Sequence, residues 1–333
     1  MDQALIIEWV IKAVILLLFG VTGFAYLTLY ERRALARIQV RIGPNRAGPW
    51  GLLQPVADGV KLIFNQELIP AKADKVLFIL APIITVLPAL IIWAVIPWGR
   101  QVVIVGREIN LYLADVSVGV LYLTAVTSIA VYGVVIAGWS SNNKYALLGG
   151  LRASAQMVSY ELALGLSLIG PILLAGSMSL VDIVEAQKGI WFALPQFLAF
   201  IIFLLAGLAE INRAPFDMPE AEQELVAGYH SEYSGMKFAL FFMAEYIKMI
   251  AIAAIAATLF LGGYRLPFID IPAAFEPLVL FIKILILLFG MIWVRATLPR
   301  FRYDRLMAFG WKVLLPLSLA NVFFTAVILV LKG

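Results

Sequence analysis

Cysteine is absent from the 333-residue chain, and there is a single histidine, His230. Iron–sulfur clusters are held by several thiolates and a bis-histidine haem by paired imidazoles, so neither can be bound here through its usual ligands. Disulfides are excluded too. One histidine among many acids does not supply the three protein ligands of a catalytic zinc site, and Glu220, Glu222 and Glu224 lack the Asp/Asn/Gly loop of a calcium site. No Ser/His/Asp arrangement and no phosphate-cradling glycine motif can be drawn. Charge is scarce as well. Charged residues make up 14% of the chain against 63% hydrophobic, with a mean hydropathy of +0.96, far outside the range of soluble globular proteins. The net charge of +4 is small, and no basic stretch interleaved with aromatics suggests a nucleic-acid partner.

What is present is a series of long apolar runs. Windows able to span a bilayer, roughly 20 apolar residues at 1.5 Å each, occur at about 5–30, 76–97, 112–139, 153–176, 191–209, 236–262, 274–298 and 308–331. The chain is therefore expected to be all-α, a polytopic membrane bundle of about eight transmembrane helices forming one domain over residues 1–333. The first run is too long for a signal-peptide core and lacks a basic start, so it reads as a retained first helix. An even number of crossings puts both termini on one side. The odd connections, residues 31–75, 140–152, 210–235 and 299–307, hold most of the cations, from Arg32, Arg33, Arg37, Arg41 and Arg46 through Lys61, Lys72, Lys75, Lys144, Arg152 and Arg213 to Arg300, Arg302 and Arg305. The even ones hold only Arg100, Arg107, Lys188 and Arg265. By the positive-inside rule the odd connections face the cytoplasm and both termini face outward. Within the first connection, Leu53, Val56, Val60, Ile63 and Phe64 recur at helical spacing with Asp58, Lys61 and Asn65 on other faces, the pattern of a short amphipathic helix on the inner surface. No internal repeat or pair of broken helices is visible.

Ionisable residues inside a membrane cost on the order of 2.5–3.5 kcal/mol each on insertion scales, so they face the bundle interior and have work to do. Counted from the apolar windows, Glu161 lies about eight residues into the fourth helix and Glu245 about nine into the sixth, roughly 12 and 13 Å from the inner side. Glu210 closes the inner end of the fifth. Three carboxylates in the inner half suit a proton relay between groups whose pKa values are raised by burial and like charge. Lys248, three positions after Glu245, shares its face and can pair with Glu245 or Glu161. Glu8 and Glu276, near helix ends, read as snorkelling or salt-bridged; Lys283 and Asp115 could extend the polar line outward. The densest charge is the stretch 210–233, EINRAPFDMPEAEQELVAGYHSEY, which carries six of the 21 acidic residues between two lipid-seeking runs.

Four segments then carry a resemblance: YERRALARIQVRIGPNRAG with QPVADGVKL; AGWSSNNKYALLGGLRASAQMVSYE; NRAPFDMPEAEQELVAGYHSEYSGMKFALFFMAEY; and WVRATLPRFRYDRLM. In this order, over nearly the whole chain, they resemble the H-type membrane subunits of the proton-pumping NADH:quinone oxidoreductases, respiratory complex I, whose mitochondrial counterpart is the first mitochondrially encoded membrane subunit. The resemblance implies a bundle of mostly eight tilted helices at the heel of an L-shaped complex in the bacterial inner membrane. It also implies a role in forming the membrane side of a long quinone chamber. Electrons would arrive from an iron–sulfur cluster of a soluble partner, and the chain itself would bind no metal or covalent cofactor. Implied partners are the soluble quinone-site and iron–sulfur subunits of the peripheral arm, small membrane subunits, antiporter-like subunits, quinone and lipid. Matched residue by residue, Arg213, Asp217, Glu220 and Glu222 fall in the cavity-lining acidic loop and Arg41 near the chamber entrance. Glu161, Glu210 and Glu245 fall on a glutamate pathway, and Arg295, Arg300 and Asp304 in a last inner motif that braces the loop or the soluble subunits.

One position departs from the pattern. Where some members carry a further glutamate on the third helix, this chain has Thr124, Thr127 and Ser128; either a hydroxyl and water replace the carboxylate or the path runs elsewhere. Two other classes share a scaffold of this kind. A stand-alone secondary ion transporter would not need long structured inner connections, and a membrane anchor of a membrane-bound hydrogenase would co-purify with a nickel–iron subunit. The choice between ubiquinone and menaquinone is left open, because the headgroup is held largely by soluble partners.

Overall fold

The computed structural model describes residues 3–104, 107–217 and 227–332. Among the described residues seven helices are long and apolar enough to cross a membrane, and an eighth apolar helix is shorter. In chain order they are α1 (Gln3–Ile38), the amphipathic α2 (Gln54–Phe64), α3 (Lys75–Ile91), α4 (Gly119–Ser140), α5 (Lys144–Ala175), the short α6 (Leu180–Ala186), α7 (Phe197–Glu210), α8 (Gly235–Phe260), α9 (Glu276–Thr297), α10 (Tyr303–Phe309) and α11 (Leu315–Lys332). A π-helical turn, Gly310–Leu314, joins the last two into one span. The connection before α4 contains a hairpin of β1 (Gln101–Ile104) and β2 (Arg107–Asn110), with Val102 opposite Ile109, which no apolar alternation in the sequence announces.

Helix α8 is the axis of the bundle. Every residue from Ala244 to Phe260 is buried, and α3, α1, α9, α7 and α6 all pack on it. Its alanine-rich half, AIAAIAAT, gives neighbouring helices little side chain to clear, the usual basis of close packing in lipid. Gly207 of α7 sits where a Cβ would meet Ile252 Cγ2 at 2.7 Å. Glycine also brings α4 against α5, where a Cβ on Gly138 would meet the Ala146 carbonyl oxygen at 2.7 Å.

Several helix boundaries differ from the apolar windows; α4 starts at Gly119, seven residues after its window opens, and the last span at Tyr303, five residues before. Helix α1 runs on to Ile38, so Glu31, Arg32 and Arg33 are helical rather than part of a loop. Helix α5 begins at Lys144, nine residues before the apolar window, because the Asn143 side chain accepts from the Tyr145 N–H at 2.9 Å and caps the first turn. Glu161 therefore lies 17 residues along α5, about 26 Å, and Glu245 ten along α8, about 15 Å. Counted from the helix starts Glu161 thus lies further along its helix than Glu245, since charge at a helix end shortens the apolar run without ending the helix. Helix α7 starts at Phe197, six residues late. Pro195 lacks an N–H and disfavours helix before it, and the turn is held instead by Ala193 N donating to the Phe260 carbonyl (2.8 Å) and Phe192 N to the Gln187 side chain (3.2 Å).

The carbonyl freed by Pro82 inside α3 finds a partner on a neighbouring segment. Pro82 has no N–H for the Phe78 carbonyl four residues back, and the Tyr233 hydroxyl donates to that oxygen at 3.2 Å while the two rings stack 4.0 Å apart. The amphipathic α2 has its apolar residues Val56, Val60, Ile63 and Phe64 exposed, as a surface-lying helix requires.

Charge at the opposite end of the bundle is structural. Glu276 is buried and accepts from the Arg100 side chain (2.7 Å) and backbone N–H (2.6 Å). Glu8 pairs with Lys12. Lys283 donates to the carbonyls of Leu261 (2.6 Å), Gly263 (2.7 Å) and Arg265, tying down the chain where it leaves α8 through the left-handed Gly262 and Gly263. Asp115 precedes α4 and accepts from the Ser179 hydroxyl at 2.7 Å. Neither Lys283 nor Asp115 extends a polar line; each fixes a connection.

Candidate functional site

The site is built where the chain leaves α7. Gln156 of α5 is fully buried, and its amide donates to the carbonyls of Ala209 (2.8 Å) and Phe216 (2.7 Å), pinning both sides of the bend. Between them, Arg213 turns into the bundle instead of towards solvent. It is buried, with its guanidinium 4.6 Å from the Tyr246 ring and 5.2 Å from Phe242, an arrangement in which the ring faces favour the cation. Its Nη2 lies 3.1 Å from Glu245 Oε2. The other carboxylate oxygen of Glu245 accepts from the Tyr229 hydroxyl at 3.2 Å.

Tyr229 belongs to a helical turn, Gly228–His230, that returns the chain to α8. It can lie this deep because Gly149 of α5 faces Gly228; a Cβ at 149 would meet the Gly228 Cα at 2.7 Å. His230 is buried beside it, and burial together with the nearby Arg213 charge brings its pKa down to about 4, so it is neutral at physiological pH. The far side of the bend is held by the last connection. Arg300 donates to the Asp217 carbonyl and its guanidinium lies 3.7 Å from the Asp217 carboxylate; Phe301 N donates to the Pro215 carbonyl at 3.1 Å. Further along, Asn143 donates to Glu232 at 2.7 Å.

Below this bend the helices enclose a polar cluster. Glu210, Glu245 and Lys248 are buried, and the Lys248 ammonium is within electrostatic reach of Glu210, Glu245 and Glu161. The expected direct pair of Lys248 with Glu245 or Glu161 does not form: among the described residues Lys248 makes no ion pair within 4.0 Å, and Glu245 turns to Arg213 instead. Glu161 accepts a hydrogen bond from Ser128 of α4.

Other residues singled out in the sequence fall elsewhere. Arg41 is exposed, donates to Gln39 at 2.7 Å, and has no described contact with the Arg213 cluster. Arg295 pairs with Glu31 of α1, and Asp304 with Arg302 at 2.9 Å; neither touches the 210–217 bend among the described residues, so Arg300 alone of the three does. Glu220 and Glu222 lie outside the described residues. The sequence reading missed Glu31, which is buried, pairs with Arg295 and accepts from Tyr246 at 2.6 Å. The one available signal was its place just past an apolar run, where a helix that continues would bury it. Among the described residues no group of three or more His, Asp or Glu side chains could hold a metal.

The class these features define is a multi-pass all-α membrane protein in which a polar loop reaches through one arginine into a buried carboxylate cluster. A family described as NADH dehydrogenase matches residues 11–326. The chain is 53% identical to the H 1 subunit of the NADH-quinone oxidoreductase of Geobacter metallireducens over 322 residues, 96% of each chain. It is 54% identical to the H subunit of the NADH-quinone oxidoreductase of Rhodospirillum rubrum over 331 residues, 98% of this chain and 95% of that one, and 50% identical to the H subunit of Thermomicrobium roseum over 337 residues, 98% and 97%. The chain belongs to the NADH dehydrogenase family of membrane proteins, the H subunits of the NADH-quinone oxidoreductases.

Proposed function

We propose that the chain is the coupling subunit of a proton-pumping NADH:quinone oxidoreductase, forming the membrane side of its quinone chamber and passing the redox event into the bilayer. It works in a complex, with electrons reaching quinone from an iron–sulfur cluster of a soluble partner and with the peripheral arm on the side of α2 and the 210–235 connection. That side is the cytoplasm, and both termini face outward. The hydrogenase-anchor and lone-transporter readings are not favoured beside relatives so similar over their whole length.

The observation that carries the mechanism is the Arg213–Glu245 pair. Arg213 comes from the loop expected to line the chamber, and Glu245 from the axial helix. Any charge change or movement of the loop therefore changes the electrostatic environment of a buried carboxylate directly, without a redox centre in the membrane. From there Lys248, Glu210 and Glu161 form a set whose protonation states are coupled, the proposed proton path. Asp217, Glu220 and Glu222 act on the chamber side, with Arg41 near the quinone entrance. Arg300 holds Asp217, while Arg295 and Asp304 brace the adjoining connection. The test is the assembled complex in proteoliposomes. Glu161→Gln and Glu245→Gln should each lower quinone-linked proton pumping by roughly tenfold or more, and Asp217→Asn should lower quinone reduction; normal pumping in both glutamine variants would remove the path.

A further inference from the structure

Among the charge pairs at the end of the bundle away from the 210–235 connection, Glu8–Lys12 stands apart because it lines a cavity. The cavity has a volume of about 570 Å³, within the range of ligand sites, and lies between α1, the end of β2 with the segment after it, and the start of α9. Helix α1 gives it two adjacent rows at i, i+4 spacing. One row is apolar, Ile7, Ile11 and Ile15, and all three are exposed, so the cavity opens on the lipid-facing surface of α1. The other carries Glu8 and Lys12, joined by a side-chain hydrogen bond. Leu111, Leu113 and Pro277 complete the apolar wall.

The cavity reaches along α1 from Ile7 to Phe19, whose ring meets Trp98 edge-on with centroids 4.7 Å apart. That span is about 18 Å at the helical rise, against about 15 Å for one leaflet of the hydrocarbon core. Its length therefore suits an extended chain lying beside α1 within a single leaflet. The polar groups select the head of such a chain. Ions at i, i+4 gain far less from each other than apolar surroundings cost them, so Glu8 and Lys12 call for further partners. Two other wall residues, Trp98 and Asn110, have a buried donor (Nε1) and a buried acceptor (Oδ1) with no hydrogen-bond partner among the described residues, a state that buried polar atoms rarely keep.

We infer that this groove binds one phospholipid whose headgroup carries a primary ammonium beside its phosphate, the ethanolamine type, with an acyl chain along the Ile7–Ile15 row. The leaflet is the outer one in the orientation proposed above. The Lys12 ammonium donates to the phosphate, and the lipid ammonium donates to the Glu8 carboxylate and the Asn110 carbonyl oxygen. A choline headgroup has no N–H to donate, and a glycerol headgroup brings only negative charge to Glu8. The pair of opposite charges thus reads a headgroup that bears both signs.

The experiment uses the assembled complex in phosphatidylcholine vesicles, with NADH oxidation by a soluble artificial acceptor as the measure of assembly. Trace phosphatidylethanolamine, phosphatidylcholine or phosphatidylglycerol, each with the same diazirine-bearing acyl chain, is photolysed and the labelled peptides are mapped. The ethanolamine probe should label residues 7–19 and 109–113 roughly tenfold more than either other probe, the worth of about one charge-assisted hydrogen bond. Labelling at Ile282 and Ile286, exposed on α9, should not depend on the headgroup. Glu8→Gln should bring the ethanolamine and choline probes to within about twofold of each other at the groove with acceptor activity unchanged. Equal labelling of the groove by all three probes in the parent would leave only bulk lipid there and overturn the inference. No labelling of the groove by any probe, with α9 labelled, would overturn it in favour of a neighbouring subunit. The parent comparison decides even if the Glu8→Gln variant fails to assemble.

Discussion

Replacing Arg213 by alanine removes the cation facing Glu245 and leaves that carboxylate buried at the axis of the bundle. Breaking a buried pair from one side costs about 3–5 kcal/mol, whereas replacing both partners costs less. Arg213→Ala should therefore lower the thermal midpoint of the assembled complex more than Arg213→Ala combined with Glu245→Gln, a comparison a melting curve reads directly. His230 gives the same region a pH dependence. Its folded pKa of about 4 lies below the ordinary 6.5, so the open turn binds the proton more readily than the packed one. Packing of the turn is fully favoured above pH 6.5 and weakens as pH falls towards 4, by roughly 3 kcal/mol at most. Hydrogen-exchange protection of residues 228–234, taken relative to the intrinsic exchange rate at each pH, should fall between pH 6.5 and 4.5, and His230→Gln should flatten that fall.

At the scale of elements, glycine decides how deep the inner turn sits. Gly149→Ala would place a methyl 2.7 Å from the Gly228 Cα and 2.8 Å from the Tyr229 nitrogen, so the turn must withdraw, at a cost of about 1–3 kcal/mol, taking Tyr229 off Glu245. Quinone reductase activity of the assembled complex should fall although no charged group has changed. At the other end, Lys283→Met keeps the apolar stem and strips three carbonyls of their donor, which should destabilise the chain by about 2–4 kcal/mol in thermal unfolding. The contrast shows what the sequence could and could not carry. Lipid demands long apolar runs, so hydropathy found the long helices and the amphipathic α2. It misjudged their ends, because Asn143 caps α5 ahead of the apolar window and α1 carries its charges through to Ile38. Charge in an apolar setting singled out Glu161, Glu210, Glu245 and Lys248, but not their partners. That Glu245 takes Arg213, that Glu31 takes Arg295 at 264 positions' distance, and that Lys283 is a cap are facts of tertiary packing with no local pattern.

For the whole molecule, the two ends of the bundle differ in kind. One gathers α2, the 210–217 bend, the Gly228–His230 turn and the last connection, tied across the bundle by Asn143–Glu232, Lys237–Glu67 and Arg300–Asp217. The other has the β-hairpin, α6 and the Arg100–Glu276 and Arg265–Glu185 pairs. Lysine and arginine concentrate at the first, and the orientation proposed above, with that end towards the cytoplasm, rests on this bias. Because the chain has no cysteine, single substitutions report sidedness without background labelling. Lys188→Cys, exposed beyond α6, and Lys144→Cys, exposed at the start of α5, lie at opposite ends. In intact cells a membrane-impermeant maleimide should label the first and spare the second until the membrane is opened. The reverse pattern would put the polar loop outside and separate it from any cytoplasmic source of electrons, so this one measurement bears on orientation and on the quinone-coupled role together.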